Sequence, residues 1–288
     1  MNLKLLTLNA HSLHGNERER DKKMRGLCEL LSAERPDIIS LQEVNQLCDA
    51  PLMDTDHTEG YYRAAACVCP IPLKRGNFAT DLAWNMAERG IPYHFTFLPM
   101  KRGYGRFDEG LAVFSKSPIR CACGFYISRA EDYDDHNTRM ALLAEIKDRD
   151  IMICNLHTSR YDYGADPFDD QWKRLTSRLP KARRLFLMGD LNCPAEARGE
   201  GYDRACEGGF FDAYRVADQR VGGIETAEEG IDGWTDKKGG GRIDYIFSSF
   251  YPTADKIIYS RVLDGERGAR VSDHFGVMVN YEGLEELS

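Results

Sequence analysis

The chain has 288 residues, 42% of them hydrophobic, which is enough apolar side chain for one large layered core over residues 1–288 without division into domains. Its 38 Lys and Arg against 46 Asp and Glu give a formal net charge of -8. The molecule as a whole therefore repels a polyanion, so wholesale nucleic-acid binding is not favoured, although a local basic groove is still allowed. No stretch is apolar for long enough to span a bilayer, and the nine cysteines are an odd number without framework spacing, so a reduced, cytoplasmic protein is expected.

The amino terminus, Met1 to Leu8, is a short apolar run with no charged leader, and it runs directly into Asn9 and His11; this pattern predicts a strand and not a signal peptide. A charged amphipathic segment from Glu17 to Ser32 predicts a helix that stops before Pro36. Asp37 to Leu41 then reads as a buried strand that delivers Gln42 and Glu43 to its carboxyl end. Further strands are predicted at Tyr93–Pro99, Leu111–Ser115, Cys121–Ile127, Met140–Ile146, Ile151–Leu156, Arg184–Met188, Ile243–Phe247, Lys256–Val262 and Phe275–Asn280. Helices are predicted at Thr80–Arg89, capped by Thr80 or Asp81, at Asp166–Arg178, and at Glu200–Cys206. So many strands exceed one open sheet; two sheets packed face to face with helices outside accommodate them. Three aperiodic stretches, 45–77, 159–169 and 218–241, read as long loops whose aromatics, such as Tyr61, Tyr62, Tyr161, Tyr163 and Trp234, either shape a substrate site or are tolerated surface insertions. The Cys67/Cys69 and Cys121/Cys123 pairs lack the usual zinc spacing and read as small buried apolar residues.

Polar residues cluster at the ends of these apolar strands, where a rigid scaffold holds side chains to fractions of an ångström. The ends are Thr7-Leu8-Asn9, Leu41-Gln42-Glu43, Asn155-Leu156-His157-Thr158, Gly189-Asp190-Leu191-Asn192, Arg242-Ile243-Asp244-Tyr245-Ile246 and Ser272-Asp273-His274. Hydrolysis of a phosphate ester needs a divalent cation, a carboxylate to direct water, and donors for the charge that builds on the phosphate. Glu43 and Asp273 are hard oxygen ligands of the kind Mg2+ takes, with Mn2+ a substitute, and thiolates are missing from all six ends. Taken singly each motif is weak, and Asp244 could simply pair with Arg242 at a strand edge.

Together and in this order the motifs resemble the endonuclease/exonuclease/phosphatase superfamily, which includes the DNase I-like nucleases, neutral sphingomyelinases and inositol polyphosphate 5-phosphatases. The resemblance covers essentially the whole chain. It implies an α/β four-layer sandwich, two mixed β-sheets face to face between helices, and metal-dependent attack of activated water on a phosphate ester. It implies Asn9 and Glu43 as the metal-binding pair with Asp273 a further metal-site carboxylate, and Asp190 as the carboxylate that orients and deprotonates the water. Asn192 would steady water and phosphate, and Asp244 would hold His274 toward the phosphate. His157, leaning on Glu109, resembles a phosphate ligand or general acid, and Arg139 resembles an arginine that reaches the phosphate from a neighbouring strand. Two features depart from relatives: the exonuclease III-like branch differs around Asn155-Leu156-His157-Thr158, and Gly233-Trp234-Thr235-Asp236 reverses a frequent Thr-Trp order.

Leu8-Asn9-Ala10-His11-Ser12, Leu41 to Gln46 and Gly103 to Leu111 are similar to the bacterial maltose 6'-phosphate phosphatases within that superfamily. The likeness implies a sugar phosphate or another small phosphomonoester held against aromatic faces. A DNase-like phosphodiesterase is the alternative, served by Lys74, Arg75, Lys101, Arg102 and Arg106 as a polyanion track or a single-phosphate pocket. A non-catalytic binding module would predict a broken motif series, and the series is intact.

Overall fold

Apolar side chains alternate along the first strand, sending Leu3 and Leu5 to one face and Leu6 and Leu8 to the other, and both faces are buried. That pattern, repeated along the chain, is what a sheet covered on both sides requires. The computed structural model describes residues 1–12, 17–66, 71–147, 149–181, 184–230 and 241–285. Its strands in chain order are β1 (Leu3–Asn9), β2 (Ile38–Leu47), β3 (Ala65–Ala66), β4 (His94–Gly103), β5 (Phe107–Ser115), β6 (Ile119–Tyr126), β7 (Met140–Ile146), β8 (Ile151–His157), β9 (Leu185–Asp190), β10 (Phe211–Asp212), β11 (Gln219–Val221), β12 (Asp244–Ser248), β13 (Lys256–Val262) and β14 (Gly276–Glu282). The helices are α1 (Glu17–Glu34), α2 (Phe78–Glu88), α3 (Phe168–Thr176), α4 (Gly201–Glu207) and α5 (Ala213–Val216).

The strands form two seven-stranded sheets, ordered β11-β13-β14-β1-β2-β5-β4 and β10-β12-β9-β8-β7-β6-β3. Both are mixed: β1 runs parallel to β2 and antiparallel to β14, and β9 runs parallel to β8 and antiparallel to β12. The inner faces meet in one core that includes Leu3, Leu5, Val113, Leu142, Phe186, Met188 and Val279. The outer face of the first sheet (Leu6, Leu8, Ile39, Phe95) is covered by Leu27 and Leu31 of α1 and Leu82 and Met86 of α2. The outer face of the second (Leu156, Leu187, Tyr245, Phe247) lies under Phe168 and Trp172 of α3 and Tyr202 of α4. This is the expected four-layer, DNase I-like sandwich; each fully buried Leu, Ile or Phe contributes about 1.5–3 kcal/mol to it.

Several local expectations change. The strand expected to end at Leu41 continues to Leu47, because β2 pairs with β5 on both sides of a bulge between Leu41 and Val44. The hairpin of β4 and β5 is longer than predicted, since its inner polar residues, Lys101, Asp108 and Glu109, are buried and not solvated. α2 is capped by Asn77, whose Oδ1 accepts from the N–H groups of Ala79 and Thr80 at 2.9 and 3.2 Å, and not by Thr80 or Asp81. Tyr61 packs on Phe95 with ring centroids 5.3 Å apart, and Tyr62 and Tyr161 pack against the cores, so these loop aromatics support the fold. Cys121 and Cys123 are exposed, contrary to expectation, while Cys67, Cys69 and the Gly233–Asp236 segment lie outside the described residues.

Candidate active site

The carboxyl ends of β1, β8 and β9, the bulge inside β2 and the start of β12 lie near one another at one edge of the sandwich, and the register fixes what each presents. Within the second sheet, Asp190 lies between His157 of β8 and Asp244 of β12 as the direct ladder partner of both. Gly189 is needed just before it, because a Cβ at that position would sit 2.0 Å from the Leu156 carbonyl oxygen and the backbone has φ +144. In the first sheet Asn9 ends β1, and Ser272 Oγ donates to its carbonyl at 2.7 Å, docking the Ser272-Asp273-His274 segment there.

Asn9 joins the two sheets: its Nδ2 donates to Glu43 Oε1 at 3.0 Å and to Asp190 Oδ2 at 3.2 Å. Asp190 Oδ1 accepts from the Asn192 N–H at 2.8 Å, while its Oδ2 lies 3.7 Å from His157 Nε2 and 3.8 Å from His274 Nε2. Asn192, at φ +46, donates from Nδ2 to the Thr158 carbonyl at 3.0 Å. His274 Nδ1 and Asp244 Oδ2 are 2.9 Å apart, fully buried. Arg242 leaves Asp244 alone: it pairs with Asp212 at 2.8 Å and is enclosed by the rings of Tyr202, Tyr214 and Tyr245.

Electrostatics follow from this packing. Burial and then the neighbouring Asp244 push the Asp190 carboxyl up to about 7, against the pull of His274 and of the Asn192 N–H. Burial works against a charged His274, yet Asp244 and then Asp190 outweigh it and raise its pKa to about 10. Burial, reinforced by Arg139 and Lys101, holds His157 well below the ordinary histidine value, so its imidazole is neutral at neutral pH. Burial and then Glu109 raise the Glu43 carboxyl, offset by His11 and Asn9.

A cavity of about 480 Å³ opens over this edge, lined by Glu43, Glu109, Arg139, His157, Asp190, Asn192, Asp273 and His274 among others. All the site residues predicted from sequence except the strand-end Asn9 and Asp244, which lie directly behind Glu43, Asp190 and His274, therefore face one space. One predicted contact changes: Glu109 Oε1 lies 3.2 Å from Lys101 Nζ, and His157 Nδ1 is buried without a hydrogen-bond partner among the described residues. Glu109 is the leading acidic neighbour of Lys101 and Arg139 and not the support of His157. Of the five basic loop residues, Lys101 and Arg102 line the cavity. Lys74 is buried against Asp108 at 2.6 Å, and Arg106 stacks over Phe107.

One residue of the site, His11, has no role among the sequence motifs. His11 Nδ1 stands 3.3 Å from Asp273 Oδ1 and 3.7 Å from Glu43 Oε2, and its hydrogen bond to Asp273 above all raises its pKa. Lys101, expected with the basic loop residues of a polyanion track or single-phosphate pocket, is a buried residue of β4, which runs past Pro99 to Gly103. The position of His11, two residues past a strand-end Asn, was the signal available.

The sequence is matched by the model of the Endonuclease/Exonuclease/phosphatase family over residues 6–274. The chain belongs to the endonuclease/exonuclease/phosphatase family. This family hydrolyses phosphoester bonds as nucleases and phosphatases. Among solved structures, the chain is similar to an endonuclease/exonuclease/phosphatase family protein from Leptotrichia buccalis, at 24% identity and a TM-score of 0.82, covering 97% of this chain and 99% of that one. An endonuclease/exonuclease/phosphatase from Bacteroides vulgatus follows the same fold at 17% identity and a TM-score of 0.64, covering 99% and 100% of the two chains. So does truncated Caenorhabditis elegans TDP2, at 16% identity and a TM-score of 0.58, covering 98% of each. No curated protein matches the chain. The family is generally divalent-metal dependent, and the site contains an acidic group able to hold an ion: ligand atoms of Asp190, Asp244 and His274 lie within 4.8 Å of one another. No helix among the described residues is long and apolar enough to cross a membrane.

Proposed function

We propose that this family member is a Mg2+-dependent phosphomonoesterase acting in the cytoplasm on a sugar phosphate or a similarly small phosphorylated substrate. The observation that carries the reading is the convergence of Glu43, His157, Asp190 and His274 on one cavity, with Arg139 beside them.

Glu43 and Asp273, with Asn9 holding Glu43, suit a hard divalent cation. His11, its pKa raised, lies between the two carboxylates, so positive charge is already favoured in that gap. Asp190, Asp244 and His274 suit it less, because Asp244 and His274 already satisfy each other through a buried hydrogen bond. A bound Mg2+ supplies neutralisation of the phosphate charge, and Mn2+ can substitute. Asp190 orients the attacking water and receives its proton, a task suited to a carboxyl poised near neutrality. Asn192 steadies water and phosphate. His274, held charged by Asp244, faces the phosphate through Nε2, and Arg139 and neutral His157, which line the same cavity, add donors.

The preference for a small substrate is supported by the cavity of about 480 Å³, a size suited to one or two rings and not a duplex, and by the net charge of -8. Tyr104, an exposed aromatic residue, is part of the cavity lining. The test is a panel of maltose 6'-phosphate, other sugar phosphates, a phosphodiester dye and plasmid DNA, each with Mg2+ and with EDTA. The expected result is EDTA-sensitive release of phosphate from a sugar phosphate; rapid DNA nicking with inert sugar phosphates would favour the nuclease alternative and overturn this preference.

A further inference from the structure

Glu43 reaches the cavity from an irregular backbone. Between the pairs Leu41↔Ala112 and Val44↔Gly110, β2 carries Gln42 and Glu43 where β5 has only Leu111, and Glu43 adopts φ +50, a left-handed conformation rare outside glycine. Such a bulge is kept only if its surroundings over-determine it. Two of its three carbonyls are tied within the first sheet and its loops. The Gln42 carbonyl accepts from Ala10 N–H at 3.0 Å, and the Glu43 carbonyl accepts from Ser12 N–H at 3.1 Å, Ser12 Oγ at 2.8 Å and Asn45 Nδ2 at 2.7 Å.

The third is tied from the opposite sheet. Asn155 of β8, 0% exposed, donates from Nδ2 to the Leu41 carbonyl and to the Ala112 carbonyl, both at 2.9 Å, so it grips the two strands where the bulge opens. Its Oδ1 accepts from Gln42 Nε2 at 2.7 Å, and the same Gln42 amide also donates to Thr7 Oγ1 at 3.2 Å. The amide orientation is dictated by chemistry, since two main-chain carbonyls can only accept. Asn155 and His157 lie two residues apart on β8 and so share a face, which couples the strand bearing His157 to the bulge bearing Glu43.

We infer that Asn155 is a positioning residue for Glu43: its amide clamps the two sheets and fixes the bulge that aims the carboxylate into the cavity. Asn155 touches neither substrate nor ion. This inference rests on the reading of Glu43 as a metal ligand, and the experiment separates the two. Mg2+ is titrated calorimetrically, without substrate, into the wild-type protein, Asn155→Leu and Ser40→Ala. Ser40 is a control in the same inter-sheet layer on β2, where its Oγ donates to Met188 Sδ at 3.7 Å. The expected result is a Kd at least tenfold weaker for Asn155→Leu and unchanged for Ser40→Ala. A role confined to stability would lower the melting temperature of the metal-free protein and leave Kd alone. Should Asn155→Leu fail to fold, Gln42→Met, which removes one of the three bonds, is expected to weaken Kd by about threefold. Normal Mg2+ affinity in the folded variant overturns the inference while leaving the metal reading intact; a wild-type protein that binds no divalent ion overturns both.

Discussion

Asp190 is the residue on which the polar contacts of the site close. Its Oδ2 is within 3.8 Å of Asn9 Nδ2, His157 Nε2 and His274 Nε2, so it joins all three elements. Asp190→Asn keeps the volume and the Asn192 contact but removes the proton acceptor. Turnover is expected to fall by about a hundredfold or more, with circular dichroism and thermal melting showing an intact fold; undiminished turnover would remove Asp190 from its role. At this scale the sequence was informative where a polar residue closes an apolar strand, as with Asn9, His157 and Asp190. It was uninformative about side-chain partners. Glu109 was expected against His157 and stands by Lys101, because Lys101 is its direct ladder partner on β4 while His157 belongs to the other sheet, a pairing that spacing along the chain does not reveal.

Among elements, β9 and the β4–β5 hairpin make separable predictions. Gly189→Ala forces a methyl into the Leu156 carbonyl at 2.0 Å, one residue before Asp190. A loss of about 3 kcal/mol or more in denaturant unfolding is expected, and a variant of wild-type stability would show that β8 and β9 are not so closely apposed. On the hairpin, Asp108 accepts from Lys74 Nζ at 2.6 Å, Tyr133 Oη at 2.8 Å and Gln46 Nε2 at 3.0 Å. Burial alone would raise its pKa, but these bonds, led by Lys74, hold it below the ordinary carboxylate value. A folded pKa below the unfolded one means the stabilisation is complete above about pH 4 and is lost as pH falls through the folded value. Unfolding free energy should therefore drop on acidification below about pH 4, and the drop should be shallower in Asp108→Asn; identical profiles would contradict the assignment. The hairpin and the β2 bulge were also the least legible elements. Buried polar residues on β4 and β5 mimic a loop, and two residues facing one at Gln42-Glu43 break the alternation by which a strand is recognised.

For the whole molecule, the four layers were legible because apolar runs too numerous for one open sheet leave two packed sheets as the compact solution. The short strands at sheet edges, β3, β10 and β11, were not, since two or three residues carry no periodicity. The sandwich has a functional consequence: Asn9, Glu43 and His274 come from the first sheet's side and His157, Asp190 and Asp244 from the second, so the site exists only where the two stack. The most direct measurement is a crystal structure with Mn2+ and inorganic phosphate bound, the ion located by its anomalous scattering. The expected result is one ion within bonding distance of a Glu43 carboxylate oxygen and a phosphate among Arg139, His157, Asn192 and His274. An ion seated instead between Asp244 and His274, with their hydrogen bond broken and Glu43 uninvolved, would contradict it.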